Sequence, residues 1–275
     1  IDFFKAYHKT NQTMVDTFAD FPSNHLSLVR KDGALDIYHG VLRAVDTNGN
    51  IILDDVDYQD YDKYIEEEVR NWSYMKFPYL KHIGKEKGWY RVGPLARMNT
   101  CDFIPTPLAQ KAFEEFKAYT KGQPNNMTLH YHWARLIEVL HAAEEIRNLL
   151  RDPDLQNEDL VVKGEKLNKG VGVIEAPRGT LFHHYEINDN DQISLANLIV
   201  STTNNNEPMN RAVNHTAKSF MNGQKEITEG MMNAVEVAIR AYDPCLSCAT
   251  HALGQMPLEM KLVDSNDNII SHKTK

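Results

Sequence analysis

The stretch Ala241-Tyr242-Asp243-Pro244-Cys245-Leu246-Ser247-Cys248-Ala249-Thr250-His251 holds two of the three cysteines in a chain of 275 residues. Two thiols three positions apart, with an imidazole three further on, face one centre when the backbone makes a single turn, and a soft metal selects that spacing. The remaining thiol, Cys101, is too far away in sequence to join them by spacing alone. Taken by itself the pattern leaves several readings open: a thiol redox pair, half of a zinc site, or two small buried apolar side chains. A structural zinc site wants four ligands; Cys245, Cys248 and His251 supply three, and the chain has no second Cys-x-x-Cys. A thioredoxin-type pair wants a strand before it and a helix opening at the first cysteine. Here a helical pattern ends just upstream, at Val235, Ala238, Ile239 and Tyr242.

Length and composition narrow the classes. A chain of this size buries on the order of three quarters of its unfolded surface, so a hydrophobic core is available without staples. The 30 basic and 38 acidic residues give a net charge of -8 with no Lys/Arg cluster, which argues against a nucleic-acid partner. No apolar run approaches the roughly eighteen residues of a membrane span, and no signal peptide opens the chain. Three cysteines do not make a disulfide framework, which favours a reducing, cytoplasmic setting. The chain begins at Ile1 inside a helical pattern and reads as part of something longer.

Outward from the cysteines, apolar periodicity predicts a helix over residues 1–18, stopped at Phe21-Pro22. Short apolar runs between Leu26 and Leu53, with turn signals at residues 31–33 and 46–50, predict a small antiparallel sheet. Asp54, Asp55, Asp57, Asp60 and Asp62 read as an acidic lead into a helix through Val69. Residues 72–99 read as an irregular, ordered loop region, in which residues 90–97 are compact enough to pack against a site, although a simple turn is the preferred reading. Helices are expected over residues 107–119 and 128–150, the second with a stripe of Trp133, Leu136, Ile137, Leu140, Ile146 and Leu149. Its His130, His132 and His141 have no acidic or thiol partner at matching spacing and read as ordinary helix histidines. Strands follow at residues 170–174, 180–187 and 193–200, with a rigid Pro-Arg-Gly corner between the first two. Helices at residues 207–220 and 228–241 then deliver the chain to Asp243-Pro244-Cys245, and alternation at Leu258, Met260 and Leu262 ends it in a hairpin.

Three segments, in this order, resemble one family: Glu175-Ala176-Pro177-Arg178-Gly179, Thr202, and Asp243-Pro244-Cys-x-x-Cys-x-x-His ending at His251. The last is similar to the C-terminal signature of the large, catalytic subunit of nickel-iron hydrogenases. The resemblance runs almost end to end, and residues 90–97, 175–185 and 238–245 look most like the cytoplasmic, bidirectional, NAD(P)-linked subgroup, with the coenzyme-linked hydrogenases of methanogens next. It implies a mainly helical α+β large-subunit fold with small antiparallel sheets, lacking its N-terminal part. It also implies reversible heterolytic cleavage of dihydrogen at a nickel-iron centre carrying cyanide and carbon monoxide ligands.

On the same resemblance Cys245 is a terminal nickel ligand and the proton acceptor, Cys248 bridges nickel and iron, and His251 ligates a nearby magnesium or iron ion. Arg178 hangs over the metal pair and donates to a cyanide, Pro177 is apolar wall, Thr202 donates to a second cyanide, and Asp243 orients Arg178. The implied partners are an iron-sulfur small subunit, flavin- and NAD-binding diaphorase subunits, and an endopeptidase that cuts after His251. That cut divides the chain into a hydrogenase part, residues 1–251, and an extension, residues 252–275, which makes the sequence a precursor. No dinucleotide fingerprint is present, as expected if NAD binds elsewhere. The family's other ligand pair, Arg-x-Cys-Gly-x-Cys, is also absent, and Cys101 cannot replace it, so this chain alone is expected to be inactive. Two competing readings make separate predictions: a zinc-stabilised module holds zinc tightly, and a thiol-disulfide protein oxidises Cys245 and Cys248 reversibly without metal.

Overall fold

In the computed structural model, which describes residues 1–245 and 258–275, the first expected helix is two: α1 (Asp2–Thr10) and α2 (Gln12–Thr17). The break is at Asn11, whose side-chain amide donates to the Tyr7 carbonyl at 2.9 Å and competes with helical continuation. The strands β1 (Asn24–Val29), β2 (Val41–Val45) and β3 (Ile51–Val56) pair as the expected antiparallel meander. Asp46 makes the second turn by accepting the backbone N–H groups of Asn48 and Asn50 at 2.8 and 2.9 Å.

The acidic run does not lead into a long helix. It gives a single turn, α3 (Tyr61–Tyr64), and then β4 (Ile65–Arg70), paired antiparallel with β5 (Ser73–Leu80). Cross-strand partners override local propensity here: Ile65 faces Leu80 in the core, Glu67 bonds Lys76 at 3.2 Å, and the Arg70 guanidinium lies 3.9 Å over the Phe77 ring. Residues 72–99 are correspondingly not irregular. After β5 come β6 (Tyr90–Arg91), parallel to β1, and the fully buried α4 (Pro94–Thr100), with Pro94 at its first turn.

The helices α5 (Pro107–Tyr119) and α6 (His130–Leu149) lie where periodicity placed them. Trp133 and Ile137 of the predicted stripe are buried, but Ile146 and Leu149 are each 58% exposed, so α6 runs past the core. The sheet of β7 (Lys169–Ala176), β8 (Gly179–Ile187) and β9 (Ile193–Ile199) is antiparallel in that order. A one-turn α7 (Ser201–Asn204) follows directly after the strand expected over residues 193–200. It is followed by α8 (Asn206–Phe220) and α9 (Glu229–Ala241), the latter capped by the Thr228 hydroxyl accepting from Met231 N–H at 3.3 Å. The last hairpin, β10 (Glu259–Val263) with β11 (Ile269–Thr274), is tied to α9 by Lys275, which donates to Asn233, and to the segment before it by Ser271, which accepts the Ile227 N–H.

One apolar cluster joins α1, α2, α4, α5, α6 and Tyr242; the other joins the strands through Leu26, Leu42, Tyr90, Val92, Val173 and Phe182. The fold is thus α+β with small antiparallel sheets, as expected. Among the described residues no helix is long and apolar enough to cross a membrane.

Between the first sheet and α4 lies the fully buried His25, whose ring nitrogen contacts the Asn126 side-chain oxygen at 3.2 Å. Burial, reinforced by the Arg91 charge, lowers its pKa to about 3. Between that value and the ordinary value of an unfolded histidine, the unfolded chain binds the extra proton, so stability is lost as pH falls through this window. Urea unfolding at pH 7, 6 and 5 should show a slope steeper in the parent than in His25→Gln by up to about 1.4 kcal/mol per pH unit.

Candidate metal centre

The site is built on the two-residue corner between β7 and β8, where Ala176 pairs with Gly179 and leaves Pro177 and Arg178 at the tip. Two glycines let this corner lie directly on residues 92–93. Gly93 has φ +92°, and a Cβ there would stand 2.8 Å from the Arg178 carbonyl oxygen; a Cβ on Gly179, at φ +136°, would stand 2.2 Å from the Val92 side chain. Of the two readings of residues 90–97, packing against a site therefore holds and the preferred simple turn does not.

From beneath, the corner is held by Arg97, which is 2% exposed. Its guanidinium donates to Glu175 Oε2 at 2.6 Å, to both oxygens of Glu138 at 2.6 and 2.7 Å, and to the carbonyls of Ala176 and Pro177 at 3.0 and 3.3 Å. The second oxygen of Glu175 accepts the Thr180 hydroxyl and the Leu28 N–H at 2.6 and 2.9 Å. Burial opposes charge on Arg97, but the two carboxylates outweigh it and hold its pKa above the ordinary range. Burial pushes the Glu175 carboxyl the other way, upward, against the pull of Arg97.

A second support comes from the end of β9. The side-chain oxygens of Asn204 and Asn205 accept the Tyr90 hydroxyl at 2.7 Å and the Val92 N–H at 3.0 Å, and the Asn204 amide reaches the Thr180 carbonyl at 2.8 Å. These bonds fix α7, which carries the buried Thr202. On the third side, Arg135 of α6 donates to the Ala241 carbonyl at 3.0 Å, and the Tyr131 hydroxyl to the Val92 carbonyl at 2.9 Å. The chain leaves α9 through Asp243, whose φ of +53° is the left-handed turn that Asp tolerates and that aims residues 243–245 at the corner.

There the elements meet. Arg178 Nε donates to the Asp243 carbonyl at 2.5 Å and lies 3.5 Å from its carboxylate, with the two side chains 37% and 46% exposed. The Cys245 N–H donates to the Thr202 hydroxyl oxygen at 3.1 Å, and Cys245 is half-buried. Pro177 and Asp243, with Arg97, Arg135 and Glu138, line a cavity of about 330 Å³. The structure thus brings together Pro177, Arg178, Thr202, Asp243 and Cys245. Cys248 and His251 lie outside the described residues. Cys101 is elsewhere, buried beside α4, and burial raises its thiol to about 12, so it is not available as a thiolate ligand.

Residues 29–251 match the family model described as nickel-dependent hydrogenase. The chain belongs to that family. Among its relatives is the NAD-reducing hydrogenase HoxS subunit beta of Cupriavidus necator, 54% identical over 275 residues, 99% of this chain and 56% of the relative. An F420-non-reducing hydrogenase iron-sulfur subunit of Archaeoglobus profundus is 42% identical over 257 residues, 90% of this chain and 52% of the relative. A crystal structure of an NAD+-reducing NiFe-hydrogenase in the H2-reduced state superposes with a TM-score of 0.87 at 50% identity, covering 91% of this chain and 55% of that one. A NiFeSe-hydrogenase from Dm. baculatum, 20% identical with a TM-score of 0.59 over 90% of this chain and 56% of that one, shares the fold. The chain spans about half the length of these hydrogenases. Membership in the nickel-dependent hydrogenase family does not favour the zinc-module and thiol-redox readings of the Cys-x-x-Cys.

Sequence pattern alone does not mark Arg97, Glu138, Asn204 and Asn205 as site residues. Their only signals are an arginine closing the segment that holds Gly93-Pro94, and three consecutive asparagines between a strand and a helix.

Proposed function

We propose that this chain supplies the C-terminal part of a catalytic subunit that cleaves dihydrogen reversibly, its electrons passing to an iron-sulfur partner subunit, then through a flavin-bearing diaphorase to NAD(P) in the cytoplasm. The observation that supports this most directly is the pair of bonds fastening residues 243–245 to Arg178 and Thr202. The donor set suits a nickel-iron pair. The half-buried Cys245 is fastened through its backbone to the Thr202 hydroxyl, two residues on from the Asp243 that engages the Arg178 guanidinium, and soft thiolates prefer such metals.

When bound, the nickel-iron pair would supply the polarisable centre at which dihydrogen is polarised and split, with cyanide and carbon monoxide tuning the iron. Cys245 would hold the pair as a thiolate and would take up the released proton on its sulfur lone pair. Arg178 cannot lose its charge, and with Nε engaged by Asp243 it keeps its terminal nitrogens directed by a fixed plane, suited to an anionic diatomic ligand. Thr202 accepts from Cys245 N–H, which leaves its own hydroxyl proton for a second such ligand. Cys248 would serve as a further thiolate ligand of the pair, and His251 would hold a magnesium or iron ion. In the full-length protein, produced anaerobically in a hydrogenase-competent host, Cys245→Ser should lose stoichiometric nickel and hydrogen-dependent dye reduction together. A variant that keeps both would overturn the assignment.

The same reading makes residues 252–275 a segment removed by a maturation endopeptidase. Intact mass should show a species ending at His251 when nickel is supplied, and none in nickel-free medium. A chain that keeps Lys275 under both conditions would make the hairpin permanent.

A further inference from the structure

Apart from the Cys245 corner, the described residues hold a second convergence of metal-ligating side chains, made by His8 on α1, Asp16 on α2 and His130 at the start of α6. Nε2 of His8 and Nε2 of His130 lie 2.8 and 3.1 Å from the same carboxylate oxygen, Asp16 Oδ1. The other carboxylate oxygen accepts the Tyr119 hydroxyl, which in turn accepts the Gln12 amide at 2.9 Å. On its far side the His130 ring meets the Asn125 side-chain amide through Nδ1, at 2.7 Å. Trp133, Tyr119, Phe116 and Phe4 pack their rings around the two imidazoles. The side chains of His130, His8 and Asp16 are 0%, 9% and 21% exposed, so solvent reaches the cluster chiefly at the carboxylate.

We propose that His8, Asp16 and His130 bind one divalent transition-metal ion of the zinc class, independent of the Cys245 corner. Two imidazoles and a carboxylate are a borderline ligand set that suits zinc and its neighbours better than calcium or magnesium, which prefer shells of oxygen. Both rings present the same nitrogen to a shared point from different helices, which is the arrangement of ligands around a common centre. Ligand atoms about 2.0–2.2 Å from a tetrahedral zinc stand about 3.4 Å apart, so each ring moves outward by only a few tenths of an ångström.

Binding displaces the proton that each Nε2 shares with Asp16, and the rings then carry their protons on Nδ1. For His130 that proton points at Asn125, whose amide oxygen accepts it once the amide is turned over, at the loss of the 3.1 Å bond from Met127 N–H. The Tyr119 hydroxyl or a water completes the four. The ion would join the two N-terminal helices to α5 and α6, and α6 carries the Tyr131 and Arg135 that hold residues 92 and 241 at the other site. Spacing alone does not reveal the set, because Asp16 and His130 are 114 positions apart.

The test uses the purified complex containing the full-length chain, treated with chelator, equilibrated with zinc and desalted. Elemental analysis should find one equivalent of zinc more in the parent than in His8→Gln, whose amide still donates to Asp16 and keeps the cluster folded. The zinc X-ray absorption edge should report nitrogen and oxygen neighbours without sulfur, and the melting temperature should rise with zinc in the parent only. Equal zinc in parent and variant, or a sulfur shell, overturns the site and leaves a hydrogen-bonded cluster. Should His8→Gln not fold, the parent's zinc content and edge spectrum decide alone.

Discussion

Arg178→Lys is expected to lower hydrogen-dependent turnover of the full-length protein by about 10²–10³-fold, the range for removing one fixed donor from a preorganised site, with nickel content unchanged. The guanidinium is planar and uses Nε for the Asp243 carbonyl at 2.5 Å while its other nitrogens keep a set direction. A lysine retains the charge but concentrates its donors on one atom, which cannot hold Asp243 and face a ligand at the same time. Turnover per nickel, with nickel measured by elemental analysis, separates this loss from a failure to assemble. A lysine variant within twofold of the parent would remove Arg178 from the mechanism.

The second large effect is on stability. Arg97→Met should destabilise the fold by about 3–5 kcal/mol, because it leaves Glu175 buried without its counter-charge. Five donor contacts, two of them to the carbonyls of the Pro177-Arg178 corner, disappear with it. Replacing the partner as well, as in Arg97→Met with Glu175→Leu, should recover part of the loss, since the stranded carboxylate is then gone. Denaturant midpoints of the parent, the single and the double variant decide. A single variant as stable as the parent would show that the network contributes no net stability.

By itself the sequence determined whatever depends on short-range pattern. The Asp243-to-His251 signature placed the chain in its family, and 3.6-residue periodicity located α5, α6, α8 and α9. Alternation and turn residues located the hairpins of β2 with β3 and of β10 with β11, because a turn's chemistry lies in adjacent residues. The candidate ligands Cys245, Cys248 and His251 were legible for the same reason: their spacing is local.

Only the tertiary structure decided what depends on partners distant along the chain. Residues 65–70 became a strand because Ser73–Leu80 was there to pair with them, and three glutamates in a row carry no signal of that. Arg97 and Arg178 look alike in sequence, yet one is enclosed by two carboxylates and the other stands half-exposed at a corner. The approach of His8 and His130 to Asp16 came from the packing of α1 and α2 on α5 and α6. Burial sets the charge state and the availability of every such group, and burial is a property of the packed chain that no local spacing encodes.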